Sequence, residues 1–189
     1  MEIIDLFKVP IASDKIMLDK KPILNKINKI KNYKNNKRSN VGGKQYSLKK
    51  NFNLKLVEIL EQKANLFAKK LDLKVPLKLD HMWVNINKKD SYNISHLHPQ
   101  CQLSGVLYLD VPLNSGHIIF HNPVGKILSY DWGENNINRY NNYTASTLTM
   151  RAESLRYYLF PSWLIHEVEI NKTNKKRMAI SFNFKYESN

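Results

Sequence analysis

From Val75 onward the chain breaks into eight short β-rich runs, at 77–87, 103–111, 117–121, 126–131, 145–151, 156–160, 164–170 and 177–186. Turn residues such as Asn-Ser-Gly and Asn-Pro divide them. Strands at this spacing with no helices between them predict a sandwich or a barrel. The last run defines its faces best. Its period of two places Arg177, Ala179, Ser181 and Asn183 on one side and Met178, Ile180, Phe182 and Phe184 on the other. A polar face carrying an arginine suits the inside of a ligand-holding barrel, and the greasy face needs a covering layer.

The first third supplies that layer. Ile23, Leu24, Ile27 and Ile30 recur at helical spacing over 22–30, and Leu54, Val57, Leu60, Ala64 and Phe67 mark a longer helix. Residues 3–11 alternate as a strand would, and 35–44, with Gly42 and Gly43, reads as a loop. Gly-Gly-Lys at 42–44 lacks both the first glycine and the following Ser/Thr of a phosphate loop. At 189 residues, 42% hydrophobic, the chain has the size of one domain: an N-terminal strand with supporting helices over 1–75, and a β core over 76–189.

The formal charge is +14, but it is uneven: +11 over residues 1–70 and +3 over the remainder. The Asn- and Lys-rich texture of the first third fits an A/T-biased codon usage, and residues 20–50 would make at most weak, nonspecific contact with a polyanion. No nucleic-acid-binding motif accompanies the charge. No apolar run is long enough to span a bilayer, and acids stand where a signal peptide needs bases, so a cytoplasmic protein without membrane contact is expected. Cys101 is the only cysteine and cannot form an internal disulfide.

Three histidines carry the candidate chemistry. His96 and His98, in SHLHPQ, precede the run LSGVLYLD, and His166 lies in FPSWLIHEV. In extended chain, a separation of two points both imidazoles the same way, and a paired strand could bring His166 to the same ion. Spacing alone fits two loop histidines and one packed histidine at least as well. Arg177 and Tyr108 strengthen the metal reading: a guanidinium and a phenol converging on the histidines would suit a ligand with a chelating head and a carboxylate tail.

At these residues the chain resembles the 2-oxoglutarate- and Fe(II)-dependent oxygenases, in a family found widely in marine bacteria and their phages. DLFKVPI, SNVGGKQ at 39–45, WVNIN…HLHPQCQLSGVLYLDVP at 83–112 and FPSWLIHEVEINKTNKKRMAISFNF at 160–184 carry the likeness. The resemblance implies a double-stranded β-helix of jelly-roll or cupin-like type, mainly β with N-terminal helices, written as a barrel with iron at its mouth. It implies Fe(II), 2-oxoglutarate and O2 as requirements, with a substrate hydroxylated and succinate and CO2 released. His96 would be the first iron ligand, His166 the distal one, and Arg177 the partner of the co-substrate's distal carboxylate. Tyr108, Asn85 and Ser181 correspond to co-substrate-binding positions, Ser181 in an Arg-x-Ser pattern interrupted by Ala179.

One departure concerns the metal itself. The wider superfamily places a carboxylate two residues after the first histidine, where this chain has His98, so a three-histidine site and a site in which His98 lies beside the ion without binding it are both open. Lys44 and Ser154 depart from a family tryptophan and glycine. Two other readings compete: a zinc hydrolase or hydratase built on His96, His98 and His117 or His121, and a non-catalytic binding module. Trp132, Trp163 and Tyr130 are candidate walls of the mouth, and 122–145 with the N-terminal segment would select the substrate. Small-molecule, nucleotide and peptide substrates remain open, as does a homodimer; for a phage-encoded chain the location would be the host cytoplasm.

Overall fold

The computed structural model describes residues 1–4, 6–30 and 39–187. Among these residues eleven strands form two antiparallel sheets. One has the order β1 (Ala12–Lys15), β9 (Arg156–Pro161), β6 (Leu103–Asp110), β11 (Arg177–Tyr186), β4 (Leu77–Asn87), β3 (Lys44–Leu48). The other runs β2 (Asn40–Val41), β5 (Tyr92–His96), β10 (His166–Val168), β7 (Ile118–His121), β8 (Thr147–Met150). From β4 to β11 the chain crosses repeatedly between the sheets, the winding of a double-stranded β-helix. The two sheets face each other and do not close into a barrel, which corrects that part of the expectation.

The greasy face of β11 meets the helices as its period predicts. Met178, Ile180, Phe182 and Phe184 join one cluster with Ile23 and Ile27 of α1 (Lys21–Asn28) and with Leu56, Leu60, Ala64 and Phe67 of α2 (Leu54–Lys70). Each of the larger side chains in this cluster, fully buried, contributes about 1.5–3 kcal/mol. Pro22 sits in the first turn of α1, where its missing N–H has no partner to lose. Asn53 caps α2, its Oδ1 accepting from the Leu56 amide at 3.0 Å. The opposite face of β11 contributes Ala179 to a second cluster between the sheets, with Val106, Tyr108, Ile118, Phe120 and Phe160. Gly105 is required where β6 pairs with β11, opposite Phe182, since a Cβ there would overlap the Phe182 ring and the Tyr158 carbonyl.

Three expectations fail locally. Among the described residues of 3–11 no strand forms; pairing starts at Ala12, after Pro10, which has no amide to donate, and the side chains of Ile3, Ile4, Leu6 and Phe7 are exposed. Residues 126–131 are not a strand but belong to a short helix, α3 (Gly125–Asp131), started by an Asn122 turn whose Oδ1 accepts from the Val124 amide at 3.1 Å. The loop expected over 35–44 lies outside the described residues up to 38; beyond that, β2 and β3 enter different sheets, with Gly42 and Gly43 making the crossing.

Candidate metal centre

The strand that presents the first histidine, β5, has the composition of a loop, YNISH. It is a strand because β2 and β10 pair with its two edges. In that ladder His96 lies directly opposite His166. Cross-strand partners point to the same face, so the two imidazoles meet with ring centroids 4.3 Å apart. His98 follows two residues beyond the strand, its amide donating to the Ser162 carbonyl at 2.9 Å, and its ring lies 5.1 Å from His96 and 5.2 Å from His166. One nitrogen from each of the three lies within 4.8 Å of the others.

Their protonation suits a metal. The Nδ1 of His96 stands 2.7 Å from the Ile94 carbonyl and that of His166 2.9 Å from the Leu164 carbonyl. A carbonyl only accepts, so Nδ1 carries the proton and Nε2 keeps its lone pair. Burial disfavours the charged form of all three rings, and neighbouring imidazoles add to the effect at His98 and His166. His166 is pushed down to about 3 by burial and then by His96. His98 falls to about 4 by burial and then by His96, and burial also lowers His96.

Arg177 opens β11 and is buried to 2% exposure, on the same inner face as Ala179 and Ser181. Its Nη1 donates to the carbonyls of Ser115 and, at 3.4 Å, Glu169. It forms no ion pair among the described residues, and burial lowers its pKa. An unpaired buried cation costs several kcal/mol, so this position is complete only when an anion reaches it. Gly116, at φ +88°, lets the chain pass beneath the guanidinium: a Cβ there would stand 2.8 Å from Nη1.

Tyr108 pairs with Ala179 across β6 and β11 and therefore shares the face of Arg177. It is fully buried, its hydroxyl has no partner, and burial raises its pKa against the opposing pull of Arg177. Asn85 Nδ2 donates to Ser181 Oγ at 3.0 Å, and its Oδ1 accepts from Asn40 at 3.4 Å.

A cavity of about 40 Å³ joins the two ends. His96, His98 and His166 line it together with Arg177, Asn85 and Ser181. Tyr108, the cross-strand neighbour of Ala179, does not line it. Sequence reasoning missed Trp83, Asn87, Asn93 and Phe160, which also line the cavity. Trp83 and Asn87 share the period of two with Asn85 along β4, a signal that was available. Asn93 was hidden because β5 was not recognised. The Trp83 ring lies 5.4 Å from that of His98, and the Phe160 ring 4.7 Å from that of His166, so packing fixes both imidazoles.

Other candidates stand elsewhere. The histidine group contains neither His117 nor His121, which corrects the ligand set of the zinc reading. His117 Nδ1 faces the Ala152 amide at 3.2 Å, and His121 Nε2 faces the Glu167 carboxylate at 3.6 Å. Trp132, Trp163 and Tyr130 are exposed and do not line the cavity. The donor set nevertheless fits the groups that the resemblance implies: three neutral imidazoles suit Fe(II), and an orphaned phenol beside an unpaired guanidinium suits a carboxylate.

Residues 81–183 match the family model described as "Putative 2OG-Fe(II) oxygenase", which covers more than half of the chain. The chain therefore belongs to the 2-oxoglutarate- and Fe(II)-dependent oxygenases, enzymes that require Fe(II), 2-oxoglutarate and O2. No curated protein matches it. Among solved structures, a prolyl-4-hydroxylase from Pseudomonas putida is similar at 10% identity, with a TM-score of 0.65 over 95% of this chain and 94% of that one. HygX from Streptomyces hygroscopicus, solved with nickel and 2-oxoglutarate, is 11% identical, with a TM-score of 0.63 over 94% and 83%. An oxidoreductase of the 2OG-Fe(II) oxygenase family from Burkholderia pseudomallei is 14% identical, with a TM-score of 0.53; the match covers 72% of this chain but only 59% of that one. At these identities the structures establish the shared double-stranded β-helix. Among the described residues no helix is long and apolar enough to cross a membrane.

Proposed function

We propose that this chain is a hydroxylase in which His96, His98 and His166 hold Fe(II) through three imidazole nitrogens, with Arg177 receiving the distal carboxylate of 2-oxoglutarate. The observation that carries this reading is the pairing of opposites in one cavity: three neutral nitrogen donors at one end, and a buried guanidinium without a counter-ion at the other.

Each side chain then has a task. The carbonyls of Ile94 and Leu164 hold the Nδ1 protons of His96 and His166 and so aim Nε2 at the ion. Trp83 and Phe160 keep His98 and His166 in place and exclude water from that side. Arg177 would hold the carboxylate tail, while Asn85, steadied by Ser181, would offer a carboxamide to the middle of the molecule. Bound Fe(II), with 2-oxoglutarate and O2, supplies the oxidising chemistry that hydroxylates the substrate and leaves succinate and CO2. With no carboxylate among the ligands, the protein leaves the full charge of the ion uncompensated, which strengthens the draw on the anionic co-substrate. The whole of 1–189 acts as one unit, in the cytoplasm.

Succinate formation tests this directly. Protein stripped of metal should produce succinate from 2-oxoglutarate when given Fe(II) and O2, and none with Zn(II). Turnover with Zn(II) in the absence of oxygen would overturn the reading in favour of hydrolytic chemistry.

A further inference from the structure

The substrate must approach from the end of the sandwich where the histidines stand, and that end has an unusual surface. His96 closes β5, His166 opens β10, and the register partner of His166 is Phe120, next to the last residue of β7. Three connections therefore surround the entrance: 97–102, 122–146 and 162–165. The chain ahead of β1 runs to the same end, because Ala12 pairs with Leu159 in the antiparallel sense and earlier residues continue past Phe160 and Pro161.

These segments gather the exposed aromatic side chains of the protein. Among the described residues seven aromatics are exposed; Phe7, Tyr130, Trp132, Tyr140, Tyr143 and Trp163 belong to these segments, and Tyr186 closes β11 at the same end. Tyr130 is 90% exposed. Scattered exposure of single rings is ordinary, but exposed aromatics gathered around one opening mark an interaction site. The 122–146 connection also carries six asparagines, two serines and two glycines. Tyr and Trp combined with Asn, Ser and Gly is the chemistry by which loops recognise polypeptides: rigid rings supply contact area and short amides supply adaptable hydrogen bonds.

Two further observations select the kind of partner. The three connections together carry two basic and two acidic residues, so the entrance is charge-balanced although the whole chain stands at +14. A polyanion has no reason to choose it. The cavity between the histidines and Arg177 is the one the co-substrate fills in the reading above, so it offers no enclosure for a second molecule. The body of the substrate must stay outside while one group enters.

Resting on the oxygenase reading above, we infer that the substrate is an uncharged stretch of polypeptide, docked on the aromatic rim formed by 122–146 and Trp163, with a single side chain passed down to the histidines. The experiment uses the full-length protein and a pool of short uncharged peptides with blocked ends. Retained peptides are identified by mass spectrometry and then added to the succinate assay. The inference expects retention and stimulated turnover in the wild type. Both should fall at least about tenfold in the Trp132→Ala/Tyr140→Ala double variant, with its unfolding midpoint unchanged. No retained peptide would overturn it, as would stimulation by single-stranded oligothymidylate or by free neutral amino acids instead, or a rim that is covered by a second copy of the chain in solution. Failure of the oxygenase reading shows separately: the wild type would then give no absorption band on anaerobic addition of Fe(II) and 2-oxoglutarate, whether or not peptides are retained.

Discussion

His96 and His166 are register partners across β5 and β10, their rings 4.3 Å apart, although 70 positions separate them in the chain. The site is therefore made by strand pairing, and each histidine is held by the backbone of its own strand. Replacing His166 with Ala should lower Fe(II) affinity by at least ~100-fold, since both a ligand and its oriented Nε2 disappear. Equilibrium dialysis with Fe(II) measures this. Unchanged affinity would remove His166 from the ligand set.

His98 gives a sharper test, because it occupies the position of the usual carboxylate. In His98→Ala the two remaining imidazoles should hold Fe(II) weakly, and His98→Asp should restore retention and raise it above the wild type, by adding a charged oxygen ligand. Metal content after gel filtration distinguishes the variants. Full occupancy in His98→Ala would show that the ring packs beside the ion without touching it.

Arg177 combines a binding role with a stability cost, and the two move in opposite directions. Arg177→Met removes a buried cation that has no counter-ion, so the unfolding midpoint without 2-oxoglutarate should stay level or rise. The 2-oxoglutarate requirement should meanwhile increase about thirtyfold or more, equivalent to ~2–5 kcal/mol for a lost charge-assisted contact. Thermal unfolding with and without co-substrate reads both, and a wild type that gains no stability from Fe(II) and 2-oxoglutarate would contradict the assignment.

Gly116 should behave as a positioning residue for the same guanidinium. Gly116→Ala forces an L side chain into φ +88° and pushes on the Glu169 carbonyl and on Arg177 Nη1. A loss of ~1–3 kcal/mol in stability is expected from the backbone alone. The KM for 2-oxoglutarate should rise while kcat at saturation is retained. A purely structural glycine would lower the amount of folded protein without moving KM.

The sequence made some parts of this molecule readable and concealed others for physical reasons. The alternation of β11 predicts both its helix-covered face and its cavity face, because that strand is central and paired along both edges. β5 was invisible: Tyr92–His96 holds few strand-forming residues and is a strand only because β2 and β10 pair with it. The strand misassigned at 126–131 has apolar residues that suit either period, and the Asn122 turn decides for a helix. In the site, spacing alone suggested that His96 and His98 belong together, while His166 and the buried state of Arg177 depended on pairings between distant segments. Trp83 could have been read from the phase of Asn85, whereas Asn93 required a strand that composition does not reveal.

The central claim is that three neutral histidines and one buried guanidinium form a single Fe(II)/2-oxoglutarate site. Anaerobic titration of metal-free protein with Fe(II) and then with 2-oxoglutarate, followed by visible absorption, tests it without knowledge of the substrate. The account predicts a charge-transfer band that saturates at one equivalent of each, disappears in His166→Ala, and needs far more 2-oxoglutarate in Arg177→Met. No band, or a band indifferent to both substitutions, would contradict it.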